Sequence, residues 1–300
     1  MERRCHEDRA DGEELSEFVG RAAVVVGGSR GIGLAVAELL ASLGAGVVVN
    51  GRDEAAVDDA VARLGNGAVG FAGSPAEPGV ADALIESCTT EFGRIDILIN
   101  CAGTPEPAGS SIFNVTSDQF RALLDAHLLT TFETCRAAVP KLMAQGGGAI
   151  VNTSSFAFLG DYGGTGYPAG KGGVNGLTMA IAAELREYDV RANVVCPGAK
   201  TRLSTGPDYE AQIAGLNRRG LLDDVNAQGA LDAPPPEYVA PTYAYLVSDR
   251  AKDVTGQILA AAGGFVGRFK RQQPKILAYR DHQDAPPWSL DELEGFISAE

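Results

Sequence analysis

Short apolar segments alternate with longer amphipathic segments from Arg21 onward. The apolar segments are rich in β-branched residues and predict strands, while the amphipathic segments predict helices. Strands that alternate with helices indicate βαβ units and a mainly parallel sheet. Because the strands are apolar at successive positions, we expect helices on both faces of the sheet, in a doubly wound α/β fold. The predicted strands are residues 22–26, 46–49, 68–71, 95–99, 149–153, 191–196 and 257–260.

Both ends of the chain and one internal segment depart from this alternation. Residues 1–20 are charged and predict a solvated N-terminal tail, which leaves residues 21–268 as a single domain. Residues 201–236 are rich in Gly, Asp and Asn and exceed an ordinary connection in length, so they predict a substrate loop or lid. The chain after Gly264 is interpreted as a tail, with residues 269–300 as a C-terminal extension containing a short helix from Ser289.

Charge and cysteine content narrow the partners and the compartment. The net charge of −14 repels phosphate backbones and anionic lipids, so neither nucleic acid nor a membrane is an expected partner. The 5 cysteines are scattered without a Cys-x-x-Cys pair. That pattern favours free thiols in a reducing compartment, so we expect a cytoplasmic protein without a metal site.

A glycine-rich segment links the first predicted strand to the first predicted helix. Glycines at such a junction let the backbone turn tightly and approach a pyrophosphate, which the helix N-terminus attracts through unpaired N–H groups and its dipole. The strand before and the helix after favour a dinucleotide site over a structural glycine turn. The candidate pyrophosphate-binding residues are Gly27, Ser29, Arg30, Gly31, Ile32 and Gly33.

The end of the second predicted strand carries Asn50 and Arg52. An acidic side chain here would hydrogen-bond the ribose 2′-hydroxyl of NAD, whereas arginine suits the additional 2′-phosphate of NADP. These residues therefore favour NADP(H), with NAD(H) as the alternative, and Arg30 offers a second positive charge. The opposing interpretation is that both arginines are ordinary solvated surface residues.

Tyr167 and Lys171 are four positions apart and share one face of a predicted helix. The hydroxyls of Ser154 and Ser155 follow a predicted strand end just before that helix. A phenol ordinarily titrates near a pKa of about 10, but a neighbouring ammonium favours its ionised form and lowers that pKa. Such a pair can donate or accept the proton of an alcohol.

Taken together and in order, these motifs resemble the short-chain dehydrogenase/reductase family. The resemblance covers roughly residues 20–268. It implies a Rossmann-type fold and hydride transfer between a nicotinamide and a small-molecule ketone or alcohol. It rests on Gly27-x-x-x-Gly31-x-Gly33, Asn100-Cys101-Ala102-Gly103, the serine pair, Tyr167-x-x-x-Lys171 and Asn193-x-x-x-Pro197-Gly198.

The resemblance implies roles for individual residues. Tyr167 would be the acid/base, Lys171 would lower its pKa and hold the nicotinamide ribose, and a serine would orient the substrate oxygen. Asn100 would lie beside the adenosine end, and Pro197 and Gly198 beside the nicotinamide. Further nucleotide contacts are expected at Ala102, Gly103 and Thr201.

Two candidate residues remain open at this point. His127 stands where the family has a catalytic asparagine, and it either takes part in the proton relay or is a buried structural residue. The family's usual spacing before the tyrosine selects Ser154 as the orienting serine, whereas position at the strand end favours Ser155.

A weaker resemblance concerns one branch of the family. His127, the segment Ala262-Gly263-Gly264 and residues 236–241 resemble the hydroxyacyl-CoA dehydrogenase units of peroxisomal multifunctional enzymes and their actinobacterial relatives. Those peroxisomal units tend to use NAD, which conflicts with Arg52. Because of this conflict, the acyl-CoA substrate of those units is one candidate among several. The candidate substrates are a 3-oxoacyl thioester, a polyketide-like ketone or another apolar ketone.

The leading interpretation is an NADP(H)-dependent oxidoreductase that interconverts a ketone and a secondary alcohol. A non-redox, NADP-binding regulatory or scaffolding protein is the first alternative, because a fold by itself does not prove chemistry. The second alternative is an enzyme of the same fold that catalyses cyclisation or elimination. The resemblance also implies a homo-oligomer, either a dimer or a tetramer.

Overall fold

The computed structural model describes residues 17–65, 67–162, 164–270 and 273–298. The chain divides into two compact units, Met1–Phe269 and Lys270–Glu300. Residues 1–16 of the predicted N-terminal tail lie outside the described residues. Residues 17–20 of that predicted tail are described. Among them, the Phe18 side chain is 1% exposed and packs in the core of the first unit. The folded part of the chain therefore begins before residue 21.

A sheet of eight strands forms the centre of the first unit. The strands are β1 (Ala22–Val26), β2 (Gly46–Gly51), β3 (Val69–Ala72), β4 (Ile97–Asn100), β5 (Gly148–Thr153), β6 (Val190–Gly198), β7 (Ile258–Ala262) and β8 (Phe265–Phe269). Their order is β3-β2-β1-β4-β5-β6-β7-β8. β8 runs antiparallel to β7, and the other pairs are parallel. The predicted Rossmann-type, mainly parallel sheet is confirmed.

Helices precede or follow most of the strands. The α-helices of the described residues are α1 (Gly31–Ser42), α2 (Glu54–Leu64), α3 (Val80–Phe92), α4 (Ser117–Leu124), α5 (Thr130–Ala144), α6 (Gly166–Glu184), α7 (Pro207–Arg218), α8 (Asp224–Leu231), α9 (Ala240–Val247) and α10 (Leu290–Ile297). A π-helical turn, Asp125–Leu129, joins α4 to α5, and a 3-10 helix, Phe156–Leu159, follows β5.

Both faces of the sheet are buried, as the continuous apolar strands predict. In β1, Ala23 and Val25 pack in the cluster that includes α1 and α9. Ala22, Val24 and Val26 pack on the opposite face, in the cluster that includes α3 and α5. All five side chains are 0% exposed. Toward the edges the pattern changes, because β3 alternates between half-buried and exposed positions, β7 is partly half-buried and β8 is half-buried or exposed throughout.

The carboxyl ends of the central strands lie at one level. Val26 of β1 is in register with Asn50 of β2 and with Asn100 of β4, and Asn100 is in register with Asn152 of β5. From β1, successive strands of the chain lie toward one edge of the sheet, as β2 and then β3. From β4 onward, successive strands lie toward the opposite edge. A crevice outside the carboxyl ends is the place where such a reversal of strand order positions a ligand.

Two predicted segments differ from the structure. The sequence analysis assigned the chain after Gly264 to a tail, whereas Phe265–Phe269 is the edge strand β8. Gly263, with a φ of 56°, forms the tight turn that returns the chain against β7. Residues 201–236 contain the helices α7 and α8 in place of an irregular loop. Their small apolar core consists of Ile213, Leu216, Leu222 and Ala227.

The second unit, Lys270–Glu300, contains α10 and confirms the short helix predicted from Ser289. The Ser289 hydroxyl accepts from the N–H of Glu292, and the Glu292 carboxylate accepts from the N–H of Ser289, which is a reciprocal capping box. Arg280 pairs with Glu292, and its guanidinium carbon lies 3.4 Å from the centroid of the Trp288 ring. These contacts order the helix within its own unit.

Candidate active site

A cleft of about 1300 Å³ is lined by residues at the carboxyl ends of β1, β2, β4, β5 and β6. Sites for one small molecule usually measure roughly 300–1,000 Å³, so this cleft has room for a nucleotide and a second ligand. The predicted site residues that line it are Gly27, Ser29, Arg30, Gly31, Ile32, Gly33, Asn50, Arg52, Ala102, Gly103, His127, Ser154, Ser155, Tyr167, Lys171, Pro197, Gly198 and Thr201.

The glycine-rich turn between β1 and α1 fits a pyrophosphate. Gly27 has a φ of 71°, and a Cβ on it would lie 2.6 Å from the backbone nitrogen of Ala102. A Cβ on Gly33 would lie 2.3 Å from the carbonyl oxygen of Gly27. The N-terminus of α1 receives no hydrogen bond from a capping side chain. The first residues of α1, Gly31, Ile32 and Gly33, line the cleft, so this helix N-terminus is available to an anionic ligand.

The charged groups near the end of β2 are only partly free for a ligand. Arg52 is exposed and lines the cleft. Arg30 forms an ion pair of 2.5 Å with Asp53, and its hydrogen bond lowers the pKa of that carboxyl. The Asn50 side chain is 2% exposed and donates to the carbonyl oxygen of Phe71 at 3.0 Å. Asn50 thus ties β2 to β3, and Arg52 is the freer cation.

Asn100, which the sequence analysis predicts beside the nucleotide, is not among the residues that line the cleft. Its side chain is 3% exposed. The alternation along β4 places it on the same face of the sheet as Leu98, the face that α3 and α5 cover. Its Nδ2 donates to Oδ1 of Asn152 at 2.9 Å, and its Oδ1 accepts from the Thr134 hydroxyl at 2.8 Å. The Asn152 amide in turn donates to the Thr178 hydroxyl at 2.9 Å. Asn100 is therefore part of a buried network that joins β4 and β5 to helices α5 and α6.

Tyr167 and Lys171 lie on the first turns of α6, on the side that faces the cleft. The Lys171 side chain is 4% exposed, and its Nζ donates to the carbonyl oxygen of Thr153 at 2.9 Å. That Nζ lies 5.7 Å from the centroid of the Tyr167 ring. The helix thus places a phenol and a buried ammonium side by side at the end of β5.

The two candidate serines point in different directions. The Ser155 side chain lies near enough to the Tyr167 phenol to lower its pKa, and its hydroxyl accepts from the N–H of Ala157 at 3.2 Å. The Ser154 hydroxyl is 2% exposed and donates to the backbone carbonyl oxygen of Lys171 at 3.0 Å. Ser155 is therefore the hydroxyl beside the phenol, while Ser154 fastens the strand end to the helix.

Burial controls the protonation of the tyrosine and the lysine. It raises the pKa of the Tyr167 phenol, and the hydrogen bond from Ser155 opposes that rise. It lowers the pKa of Lys171 to about 8. The net shift of the phenol pKa is therefore upward, although the sequence analysis expects Lys171 to lower it. The ammonium is directed at the carbonyl of Thr153, so the loss of solvation dominates at the phenol oxygen.

His127 lies in the π-helical turn, against the tyrosine. Its ring is 1% exposed and meets the Tyr167 ring edge-on, with 4.8 Å between centroids. Because a carbonyl only accepts, the 3.0 Å contact between Nε2 and the Thr104 oxygen places the proton on Nε2. Burial, with a smaller contribution from the charge of Lys171, lowers the pKa of His127 to about 3. The ring is therefore neutral near pH 7.

One ring nitrogen of His127 carries an unused lone pair. Nδ1 has no hydrogen-bond partner within the described part of the chain. A Cβ on Gly103 would lie 3.0 Å from this Nδ1 and 3.8 Å from Nζ of Lys171. The imidazole thus packs closely against Gly103, and its Nδ1 and the Lys171 ammonium both lie on the side where a Cβ would be.

Sequence reasoning missed two residues that shape the site. Glu106 lines the cleft and accepts from backbone N–H groups at the start of α6. Thr153 receives the Lys171 ammonium on its carbonyl and bonds the Tyr243 hydroxyl at 2.9 Å. A signal existed for both, since Thr153 ends a predicted strand and Glu106 follows one at the carboxyl edge of the sheet. Their partners lie far away in the chain, and no local spacing indicates them.

The comparisons with known proteins agree with this geometry. The sequence profile of the short chain dehydrogenase family matches residues 21–206. The chain is 35% identical over 249 residues to the 3alpha-hydroxysteroid dehydrogenase of Mediterraneibacter gnavus, across 81% of this chain and 96% of that protein. It is 34% identical over 295 residues to the hydroxyacyl-CoA dehydrogenase ChsB1 of Mycobacterium tuberculosis, across 93% of this chain and 87% of that protein.

A solved structure extends the match to three dimensions. A short chain dehydrogenase from Mycobacterium avium superposes with a TM-score of 0.76 at 30% identity, over 94% of this chain and 95% of that one. A doubly wound sheet with a glycine turn and a Tyr-Lys pair defines a nucleotide-dependent oxidoreductase. The chain belongs to the short-chain dehydrogenase/reductase family, whose members use NAD(P)(H), and it acts on CH–OH or C=O groups. Within the described residues, no helix combines the length and apolarity needed to cross a membrane.

The neutral burial of His127 predicts a dependence of stability on pH. Between the folded pKa of about 3 and the ordinary value of 6.5, the unfolded chain binds a proton that the folded chain does not. Stability should therefore fall as the pH drops through this window. From pH 7.5 to pH 5, the wild-type free energy of unfolding should decrease by about 2 kcal/mol more than that of His127→Gln. Urea denaturation at both pH values measures the difference.

The exposed His282 supplies the matched control for this measurement, since its side chain is 93% exposed. His282→Gln should keep the pH dependence of the wild type. Equal losses in wild type and His127→Gln would show that the ring at position 127 is protonated in the folded protein.

Proposed function

We propose that this chain is an NADP(H)-dependent oxidoreductase that interconverts a ketone and a secondary alcohol. The observation that carries the proposal is the meeting of the Tyr167 phenol, the Ser155 hydroxyl and the Lys171 ammonium on one wall of the cleft. The glycine turn before α1, which fits a pyrophosphate, lines the same cleft. The nucleotide, when bound, supplies or accepts the hydride.

The side chains of this wall handle the oxygen and its proton. In reduction, the Ser155 hydroxyl donates a hydrogen bond to the substrate carbonyl oxygen, and the Tyr167 phenol gives that oxygen its proton. The raised phenol pKa suits this role, because the proton stays in place until negative charge develops on the oxygen. In oxidation, the phenol must accept a proton as the phenolate. Lys171, with a pKa of about 8, is largely charged at neutral pH and stabilises that phenolate.

His127 is proposed to take part in the movement of protons next to Lys171. The Thr104 carbonyl fixes the tautomer, so the lone pair of His127 is on Nδ1, beside Gly103 and on the side of the Lys171 ammonium. A hydrogen-bond acceptor at this place can orient the ammonium group through which a proton passes. The ring is neutral above its pKa of about 3, so it keeps this capacity near pH 7, where Lys171 is largely charged.

The preference for NADP(H) over NAD(H) rests on the residues at the end of β2. Asn50 and Gly51 place no carboxylate there, and the exposed Arg52 is available for a 2′-phosphate. Asp53 opposes the preference because it engages Arg30. A 2′-phosphate would compete with Asp53 for this exposed guanidinium.

An apolar ketone, including a 3-oxoacyl thioester, is the substrate class that the outer part of the cleft favours. Part of its lining is apolar, and Arg202 is available there for an anionic group. The match to the hydroxyacyl-CoA dehydrogenase extends over 93% of the chain, compared with 81% for the hydroxysteroid dehydrogenase. The greater coverage of the chain by the hydroxyacyl-CoA dehydrogenase supports a 3-oxoacyl thioester as the substrate. The apolar lining residues are Phe156, Leu203, Ile213, Val225 and Phe265.

We also propose that the protein is a cytoplasmic homo-oligomer, a dimer or a tetramer. An apolar groove on the surface of α4, α5, α6 and the π-helical turn supports this assembly, since a second copy would cover it. Phe132, in this groove, is 42% exposed. The free thiols of the described cysteines are compatible with a reducing compartment. The groove is lined by Leu124, Leu128, Leu129, Phe132 and Leu177.

Removal of the phenol hydroxyl tests the acid/base assignment. Tyr167→Phe should lower kcat at least about 100-fold, because general acid catalysis typically contributes that much. The Kd for NADPH should change less than about twofold, since the ring and the cleft remain. Consumption of NADPH with a panel of ketones, followed by absorbance, measures the loss. Tyr162→Phe, a change at another tyrosine of the cleft, should retain wild-type turnover. Wild-type protein that binds NADPH but never consumes it would favour the non-redox alternative.

Replacement of His127 separates a chemical role from a structural one. His127→Ala should lower kcat about tenfold and leave the Kd for NADPH within about twofold, because the ring faces Lys171 and not the glycine turn. The loss should be the same from pH 6 to pH 7.5, as the ring is neutral throughout. Stopped-flow measurement of hydride transfer at each pH provides the test. Unchanged turnover would leave His127 with a structural role alone.

Removal of the Arg52 guanidinium tests the nucleotide preference. Arg52→Ala should weaken NADPH binding about tenfold, because a charge-assisted hydrogen bond to the 2′-phosphate is lost. NADH binding should change less than about twofold. Fluorescence titration with both nucleotides measures the two Kd values, and Arg202→Ala is the control arginine within the cleft. Tighter binding of NADH than of NADPH by the wild type would overturn the assignment.

A further inference from the structure

Glu106 reaches from the segment after β4 to the first turn of α6. Its Oε2 accepts from the N–H of Tyr167 at 2.6 Å. Its Oε1 accepts from the N–H groups of Thr165 and Gly166 at 3.2 and 3.3 Å. The Ser110 hydroxyl also donates to Oε1, at 3.0 Å. One carboxylate thus binds three successive backbone donors, the last of which belongs to Tyr167.

The helix depends on this distant carboxylate for its cap. The first N–H groups of a helix have no partner within the helix, and the usual solution is an oxygen of the residue just before it. In α6 that residue is Thr165, whose side chain makes no capping hydrogen bond. Glu106 takes its place, and its negative charge is favourable at the positive end of the helix dipole.

The close approach of the carboxylate depends on a glycine. Gly164 has a φ of 80°, and a Cβ on it would lie 2.9 Å from Oε2 of Glu106. Any other residue at position 164 would meet both a strained backbone and the carboxylate. The turn before α6 is therefore shaped to admit Glu106.

The same segment also holds the second ring of the site. The carbonyl oxygen of Thr104, two positions before Glu106, accepts from Nε2 of His127 at 3.0 Å. His127 and Tyr167 pack edge-on against each other. A short stretch of backbone after β4 therefore fixes both aromatic side chains, one through a carbonyl and the other through the Glu106 carboxylate.

We propose that Glu106 is a positioning residue for Tyr167. The carboxylate holds the backbone of Tyr167, and the phenol oxygen is thereby kept beside Ser155. This proposal rests on the proposed function, in which that phenol transfers the proton. Misplacement of a reacting group by about 1 Å can cost on the order of 100-fold in rate, so the loss of this anchor should act on turnover.

The test compares three variants of the full-length protein. Glu106→Gln removes the charge and turns an NH₂ group toward backbone donors that need an acceptor. Glu106→Asp keeps the charge but withdraws the carboxylate by one methylene. Glu86→Gln is the matched control, because Glu86 forms an exposed surface pair with Lys141. For each protein, kcat, KM, the Kd for NADPH and amide hydrogen exchange across residues 164–172 are measured.

The expected result is a split between turnover and binding. Glu106→Gln should lower kcat at least tenfold and leave the Kd for NADPH within twofold. Its Tyr167 amide should exchange at least tenfold faster than in the wild type. Glu106→Asp should recover part of kcat, and Glu86→Gln should match the wild type in every measurement.

Three outcomes would overturn the proposal. The first is a kcat of Glu106→Gln within twofold of wild type, whatever its hydrogen exchange. The second is that Glu106→Gln loses NADPH binding and also loses protection from hydrogen exchange throughout the chain. That result would make Glu106 a residue of the fold alone. The third outcome applies if Glu106→Gln does not fold: a kcat of Glu106→Asp equal to that of the wild type would then overturn the proposal. Failure of the proposed function is seen separately, as a wild type inactive on every ketone, and the exchange of the Tyr167 amide then still shows whether Glu106 holds this turn.

Discussion

The buried ammonium of Lys171 is the interaction on which the arrangement of the cleft depends. An ammonium removed from water costs several kcal/mol unless hydrogen bonds compensate it. Here Nζ donates to the carbonyl of Thr153, the last residue of β5, and Ser154 donates to the carbonyl of Lys171 itself. Strand and helix are therefore held by bonds in both directions. The Thr153 hydroxyl also forms a hydrogen bond with the hydroxyl of Tyr243. Tyr243 lies in the core on the face of the sheet that α1 and α9 cover.

Burial also sets the charge of the site as a whole. It raises the pKa of Tyr167 and lowers the pKa values of His127 and Lys171, so each group is displaced toward its neutral form. With the phenol and the imidazole neutral near pH 7, Lys171 is the main positive charge on that wall. Groups held in place with little water around them act strongly on charge that develops in a transition state. This environment suits a proton that moves only as the substrate oxygen changes its charge.

The walls of the site come from segments that no regular pattern describes. The backbone after β4 carries Thr104 and Glu106, which hold His127 and the first turn of α6. A π-helical turn places His127 on the inner side of its helix, and such turns occur often at functional sites. The helices α7 and α8 contribute apolar side chains opposite. Regular elements thus supply the platform, and the connections supply the specificity.

The sequence by itself determined the doubly wound sheet, the glycine turn and the pairing of Tyr167 with Lys171. These features depend on local spacing: continuous apolar strands, glycines where a Cβ has no room, and two residues one helical turn apart. Only the tertiary structure decided that Asn100 faces the core, that Ser155 and not Ser154 meets the phenol, and that Glu106 caps α6. It also decided the direction of the phenol pKa and the strand β8. Each of these depends on which distant groups share a buried volume, and neither spacing nor composition contains that information.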